Sequence, residues 1–138
     1  MAGTLQAVVV SAEQHVFSAD IAELYARGVE GEIGILPGHQ PAVVALDIGA
    51  VTLVMEDGSR EYVAVHRGVL FIGHDGTAIV LADIAELASE IDVPRAEAQL
   101  RKLEEAEDGS EADPVVKAGI RRQQLRLQVA GGDFPAGG

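Results

Sequence analysis

The chain has 138 residues and a formal net charge of −12; 48% of it is hydrophobic, only 4% is aromatic, and it has no cysteine. That length suits one domain with an appendage, and the core must be built from Val, Ile, Leu and Ala. Absence of cysteine excludes a disulfide framework and a thiolate metal site, while the acidic balance argues against nucleic acid or an anionic lipid surface as a partner.

The first residues, Met1-Ala2-Gly3-Thr4, are uncharged and lead straight into a strand-like run. No basic segment followed by a short apolar one marks a secretory signal. No apolar run is long enough to span a bilayer. A soluble, cytoplasmic protein without direct membrane insertion is expected.

Short β-type runs fill the first part of the chain: Leu5–Ser11, Val51–Glu56, Tyr62–His66, Val69–Gly73 and Thr77–Asp83. Val51, Leu53 and Met55 alternate with Thr52, Val54 and Glu56, the period of a half-buried strand. Asp57-Gly58 and Asp75-Gly76 read as hairpin turns, since these residues tolerate positive φ. Many short strands with regular turns predict a sandwich or barrel. With no helix between strands, a parallel sheet is not expected.

The texture changes near Ile84, and from Asp92 the pattern is helical. Ala96, Leu100 and Leu103 recur at intervals of four and three, with Asp92 as N-cap and Pro94 in the first turn. A break is predicted at Asp108-Gly109-Ser110. A second helix starts at Asp113-Pro114, with Val116, Ile120 and Leu127 on its apolar face, and ends at Gly131-Gly132, leaving Asp133–Gly138 as a frayed tail. Gly119 weakens this helix by roughly 1 kcal/mol relative to Ala. Short helices with so few apolar residues are marginal alone, so the hairpin is expected to lie near balance between docked and undocked forms.

The charge is uneven. Residues 1–85 carry eleven acids against Arg27, Arg60 and Arg67. The second helix carries Lys117, Arg121, Arg122 and Arg126 with no acid between Pro114 and Gly132, whereas Asp92–Asp108 holds six acids and three bases. Antiparallel packing of the two helices is therefore favoured weakly and in a salt-sensitive way.

Chemistry is sparse. His15, His39, His66 and His74 show no metal-ligand spacing, and no metal site is expected. There is no G-x-S-x-G elbow and no thiol nucleophile, so no catalytic constellation emerges. The glycine-rich segment Gly31–Pro41 lacks the Gly-Lys-Ser/Thr end of a phosphate loop. Its glycines and prolines read as turn formers, with Glu32 in the loop between two glycines.

Two segments carry a family resemblance. Gly31-Glu32-Ile33-Gly34-Ile35-Leu36-Pro37-Gly38-His39 resembles a GELGILPGH-like signature, and Ile91-Asp92-Val93-Pro94-Arg95-Ala96 matches an I-D-x-x-R-A motif. Both are features of the epsilon subunit of bacterial F-type ATP synthases, and the resemblance runs from about Leu5 to Leu127. It implies an α+β fold with an N-terminal antiparallel β-sandwich of about ten strands (residues 1–85) and a C-terminal two-helix antiparallel hairpin (86–138). It implies a non-catalytic central-stalk subunit that couples the gamma subunit to the c-ring and regulates ATP hydrolysis through its helices. The location implied is peripheral, on the cytoplasmic face of the plasma membrane.

By the same resemblance, Glu32 and His39 are rotor-contact residues facing the c-ring or the gamma subunit. Arg121, Arg122 and Arg126 belong to an inhibitory helix that meets acidic segments of the catalytic beta subunits. No cofactor is required, but ATP is implied as a weak regulatory ligand of Glu86, Asp92, Arg95 and Ala96. An arginine pairs with phosphate and a helix N-terminus favours anions. Lys102, Arg122 and Arg126 are looser candidates for the phosphates. Pro94 departs from the more usual aliphatic residue, and the second helix is short. The plainer reading makes Asp92 only an N-cap and Arg95 a surface residue. Two other classes stay open: a free-standing weak ATP-sensing module and a small β-sandwich enzyme.

Overall fold

A computed structural model describes residues 3–107 and 113–131. Seven strands come first: β1 (Leu5–Ser11), β2 (His15–Ile21), β3 (Glu23–Gly28), β4 (Gly31–Ile35), β5 (Ala42–Val54), β6 (Arg60–Ile72) and β7 (Thr77–Leu87). A single 3-10 turn, Ala88–Glu90, leads into helices α1 (Val93–Glu107) and α2 (Pro114–Gly131). The break expected at Asp108-Gly109-Ser110, Gly132 and the tail 133–138 lie outside the described residues.

The strands are hydrogen-bonded in the order β2-β1-β7-β6-β5-β3-β4. Neighbours are antiparallel except β1 and β7, which are parallel. This departs from the all-antiparallel expectation. The chain reaches β7 from β1 through five intervening strands, so the parallel pair needs no crossover helix of its own.

Seven strands stand where about ten were expected because β5, β6 and β7 are 13, 13 and 11 residues long. All three change their inward face at one level. Leu46, Leu70, Ile72, Ala78, Val80 and Ala82 lie in the main core on one side of that level; Val51, Leu53, Val63, Val65 and Ala85 do so on the other. The inward set passes from even to odd positions. The ladder contacts lapse there: Leu46↔Gly68 and Ile48↔His66 flank an unpaired Asp47 and Arg67, and His66↔Ile84 and Gly68↔Ala82 flank Asp83. Arg67 has φ 66, the single positive value among described non-glycine residues. A Cβ on Gly68 would stand 2.3 Å from the Leu81 carbonyl oxygen, so only glycine fits this bend. The runs expected as separate strands at Tyr62–His66 and Val69–Gly73 are the two arms of β6.

β2, β3 and β4 were not anticipated. Glu32 lies within a strand rather than a loop, directly opposite Arg27. Gly34 in the same strand lies under the Tyr25 ring, where a Cβ would meet Cε1 at 2.8 Å. This glycine therefore makes room for an aromatic cover.

Both helix starts are as the sequence predicts. Asp92 Oδ1 accepts from the Arg95 N–H at 3.1 Å, and Asp113 Oδ1 from the Val115 N–H at 3.0 Å. The apolar face of α2 is displaced, however. Val116, Ile120 and Leu127 are half-buried, while Leu125 and Val129 are fully buried with Ile48, Ala64 and Ile91. One helix here serves two neighbours, because α2 packs on α1 and also on β5 and β6. Gly119 lets α1 approach: a Cβ there would stand 3.1 Å from Leu103 Cδ1.

Candidate functional site

The bend gives the sheet two outward faces. Beyond it, Ile48, Ala50, Tyr62, Ala64, His66 and Glu86 form the seat of α2. Before it, Val43, Phe71 and Ile79 form one cross-strand row. Ala45, Val69 and Leu81 form the next. The β1 residues Val8 and Val10 pair with Ile79 and Leu81. No described element covers this second face: Val43 is 70% exposed, Leu81 45% and Phe71 38%. Val43, Phe71 and Leu81 thus leave an apolar strip open to water on this face.

The seat of α2 is closed by ion pairs. Arg126 donates from Nε and Nη2 to the two carboxylate oxygens of Glu86, and from Nη1 to Gln123 Oε1 at 2.9 Å. Arg121 reaches Asp47 at 3.5 Å. The Asp47 carboxyl is held below its ordinary range first by the Ile48 N–H it accepts; burial opposes this, and Arg121 and then Arg27 add to the lowering. Between the pairs lies His66, 5% exposed, with Nε2 3.8 Å from Glu86 Oε1. Burial pushes its pKa down, as do Arg122 and Arg126, and Glu86 opposes them.

The residues singled out in the sequence are partly brought together. Glu86 and Arg126, forty positions apart, are direct partners. Asp92 and Arg95 meet at the start of α1, where Arg95 is exposed and Ala96 is buried. Glu32 pairs loosely with Arg27 at 3.8 Å, with both side chains more than half exposed. His39 is exposed on the turn after β4, and its Nδ1 lies 2.7 Å from the Gln40 carbonyl oxygen. Glu32 and His39 bond to Arg27 and Gln40 rather than to any residue of the seat or of the α1 start. Sequence spacing alone gives His66 no role among four scattered histidines. Its position directly after the apolar Val63-Ala64-Val65 is the available signal, since a lone imidazole in a buried strand needs a polar account.

A groove of about 680 Å³ runs between α2 and strands β3, β4 and β5, with Tyr25, Arg27, Glu32, Thr52, Arg121 and Gln128 in its wall. It contains neither Glu86 nor Asp92 nor Arg95. Among the described residues, no three His, Cys, Asp or Glu side chains are grouped to hold a metal ion. No described helix is long and apolar enough to cross a membrane.

Comparison with known proteins gives the same outline. The family model for the ATP synthase Delta/Epsilon chain, beta-sandwich domain, matches residues 4–88. The ATP synthase epsilon chain of Streptomyces coelicolor is 39% identical over 96% of this chain and 99% of its own. That of Streptomyces griseus is 40% identical over 94% of this chain and 97% of its own. The fold is shared with a chain of the Euglena gracilis mitochondrial ATP synthase (OSCP/F1/c-ring, rotational state 1), with a TM-score of 0.75 at 18% identity, covering 97% of this chain and 84% of that one. A chain of the Tetrahymena thermophila mitochondrial ATP synthase central stalk/c-ring is similar with a TM-score of 0.58 at 12% identity, covering 91% and 96%. A sandwich domain followed by a docked helical hairpin, matched in sequence over nearly the whole length, makes this chain a member of the ATP synthase epsilon chain family.

Proposed function

We propose that the chain is a non-catalytic rotor subunit of a proton-translocating F-type ATP synthase, placed peripherally on the cytoplasmic face of a bacterial plasma membrane. Its sheet domain couples the gamma subunit to the c-ring, and its hairpin regulates ATP hydrolysis. The observation that carries this reading is the asymmetry of the two outward faces. One is covered by the chain's own α2; the other presents Val43, Phe71 and Leu81 uncovered on three long strands. A stable partner removes such a face from water at a gain of about 25 cal/mol per Å² of apolar area, and the gamma subunit is that partner. Glu32 and His39 bear on the rotor from the exposed β3–β4 edge and the turn after it.

In the docked hairpin Arg126 is engaged by Glu86 and Arg121 by Asp47. Release of α2 frees both guanidiniums, together with Arg122, for an acidic segment of the catalytic beta subunits. Hydrolysis is then inhibited by the extended form and permitted by the docked one. ATP acts as a weak regulatory ligand at the start of α1, where Asp92, Arg95 and Ala96 stand near Glu86 in sequence.

The test is capture of the full chain by a purified gamma subunit, with Val43→Glu and Phe71→Glu beside the unaltered chain. Capture lost in both variants, with the sheet intact by circular dichroism, supports the reading. Undiminished capture assigns the gamma contact elsewhere. No capture of the unaltered chain leaves a free-standing ATP-sensing module as the better description.

A further inference from the structure

We propose that protonation of His66 releases α2 from the sheet, making the hairpin a latch operated by pH. The inference goes beyond the rotor assignment and depends only on the docked hairpin.

His66 stands on β6 between Ile48 of β5 and Ile84 of β7, on the face that α2 covers. Only 5% of it is exposed, and its Nδ1 is buried with no hydrogen-bond partner among the described residues. Its Nε2 faces Glu86 Oε1 at 3.8 Å, beyond hydrogen-bond reach. The charged groups facing it are Glu86 from β7 and Arg122 and Arg126 from α2. From β5 it meets the apolar Ile48, and the turn at Ala88–Glu90 adds Ala88 to the same cluster.

A neutral imidazole is tolerable in this setting, because an unpaired Nδ1 acting as acceptor costs little beside a buried charge. Protonation alters every term. It places an N–H on Nδ1 with no acceptor and a positive charge beside two guanidiniums. The one nearby carboxylate, on Glu86, is already engaged on both oxygens by Arg126. Departure of α2 removes both arginines and admits water to the ring.

Burial and the two arginines hold the docked imidazole below its ordinary value, with Glu86 pulling the other way. The sign follows. A depressed value in the docked form contributes to docking above the ordinary histidine value of about 6.5 and loses that contribution as pH falls. Over that window the docking constant falls by up to about tenfold per pH unit. Release uncovers Leu125 and Val129 on α2 and Ile48, Ala64 and Ile91 beneath it.

The experiment is amide hydrogen exchange of the full chain from about pH 7.5 to about pH 5.5, corrected for intrinsic exchange, with His66→Gln and His66→Leu beside it. Protection of Ile120–Gly131 should fall by up to about tenfold while β5–β7 keep theirs, and both variants should flatten the response. Undiminished protection of α2 at the acid end overturns the proposal, as does an equal fall in the variants. Should neither variant fold, the Cε1 proton of His66 in the unaltered chain decides. Titration with a midpoint below the ordinary histidine value of about 6.5, with α2 exchange rising over the same range, supports the latch; a midpoint at or above that value, or unchanged exchange, overturns it.

Discussion

Arg126 and Glu86 are joined by two parallel hydrogen bonds, Nε to Oε1 at 2.8 Å and Nη2 to Oε2 at 3.1 Å, linking the last turns of α2 to the end of β7. The fork geometry is the strong form of a charged hydrogen bond. Both side chains are mostly buried, at 15% and 26% exposure. Replacing Arg126 by Ala removes both bonds and leaves Glu86 beside a nearly buried imidazole. Docking of α2 should weaken by about 1–3 kcal/mol. Amide exchange in α2 checks this, and in a double-mutant cycle with Glu86→Ala the two losses should be less than additive.

Neutralising Arg121, Arg122 and Arg126 together should have opposite effects in two settings. In the isolated chain it weakens docking, by loss of the pairs to Glu86 and Asp47. In the assembled enzyme it relieves inhibition of ATP hydrolysis, because the released helix no longer carries charge to the beta subunits. Parallel exchange and hydrolysis assays separate the two effects. Unchanged hydrolysis in the triple variant counts against a basic inhibitory contact.

Gly68→Ala should be among the most damaging single-methyl additions. The new Cβ meets the Leu81 carbonyl oxygen at 2.3 Å and Ala82 Cα at 2.8 Å, both backbone atoms of β7. Neither yields without breaking the ladder, so a loss of about 2–4 kcal/mol is expected, read as a lowered urea midpoint. Gly119→Ala makes a useful contrast. Its nearest neighbour is the tip of the Leu103 side chain at 3.1 Å, which can rotate, and the helix gains about 1 kcal/mol of propensity.

Acid stability should show a second, lower phase. The Asp47 carboxyl is depressed by the Ile48 N–H and by Arg121, so its contribution is present above the ordinary carboxylate value of about 3.9 and is lost as pH falls through the folded value. Asp47→Asn should flatten this phase of a denaturation series and leave the one near neutrality unchanged.

Calorimetric titration with ATP tests the start of α1. Saturable binding lost in Arg95→Ala assigns a nucleotide to this helix end. No heat at millimolar ATP leaves Asp92 with the capping bond it already makes to the Arg95 N–H.

Local chemistry made much of this fold legible. Asp57-Gly58 and Asp75-Gly76 are turns with φ 87 and 80 at their glycines, and each aspartate accepts from the residue two positions on. Asp92 and Asp113 cap their helices. The signals failed where residues answer to distant neighbours. Glu23-Leu24-Tyr25-Ala26-Arg27-Gly28 has alternation too weak to distinguish a strand from a helical turn; β4 and β5 on either side make it one. Leu125 and Val129 were obscured because α2 serves a helix and a sheet at once. Of the candidate site, the Asp92 cap was readable, while the cluster of His66, Glu86 and Arg126 spans three elements and no local spacing announces it.

The reversal of sidedness at Asp47, Arg67 and Asp83 has a mechanical consequence. The uncovered apolar face and the seat of α2 are laid out along the same three strands. Load applied at Val43 or Phe71 reaches Ile48 and Ala64 along the main chain of the same strands, across the one level where the ladder lapses. Whatever rests on the uncovered face and the helix resting on the other are thus attached to the same three strands, bent once at their middle.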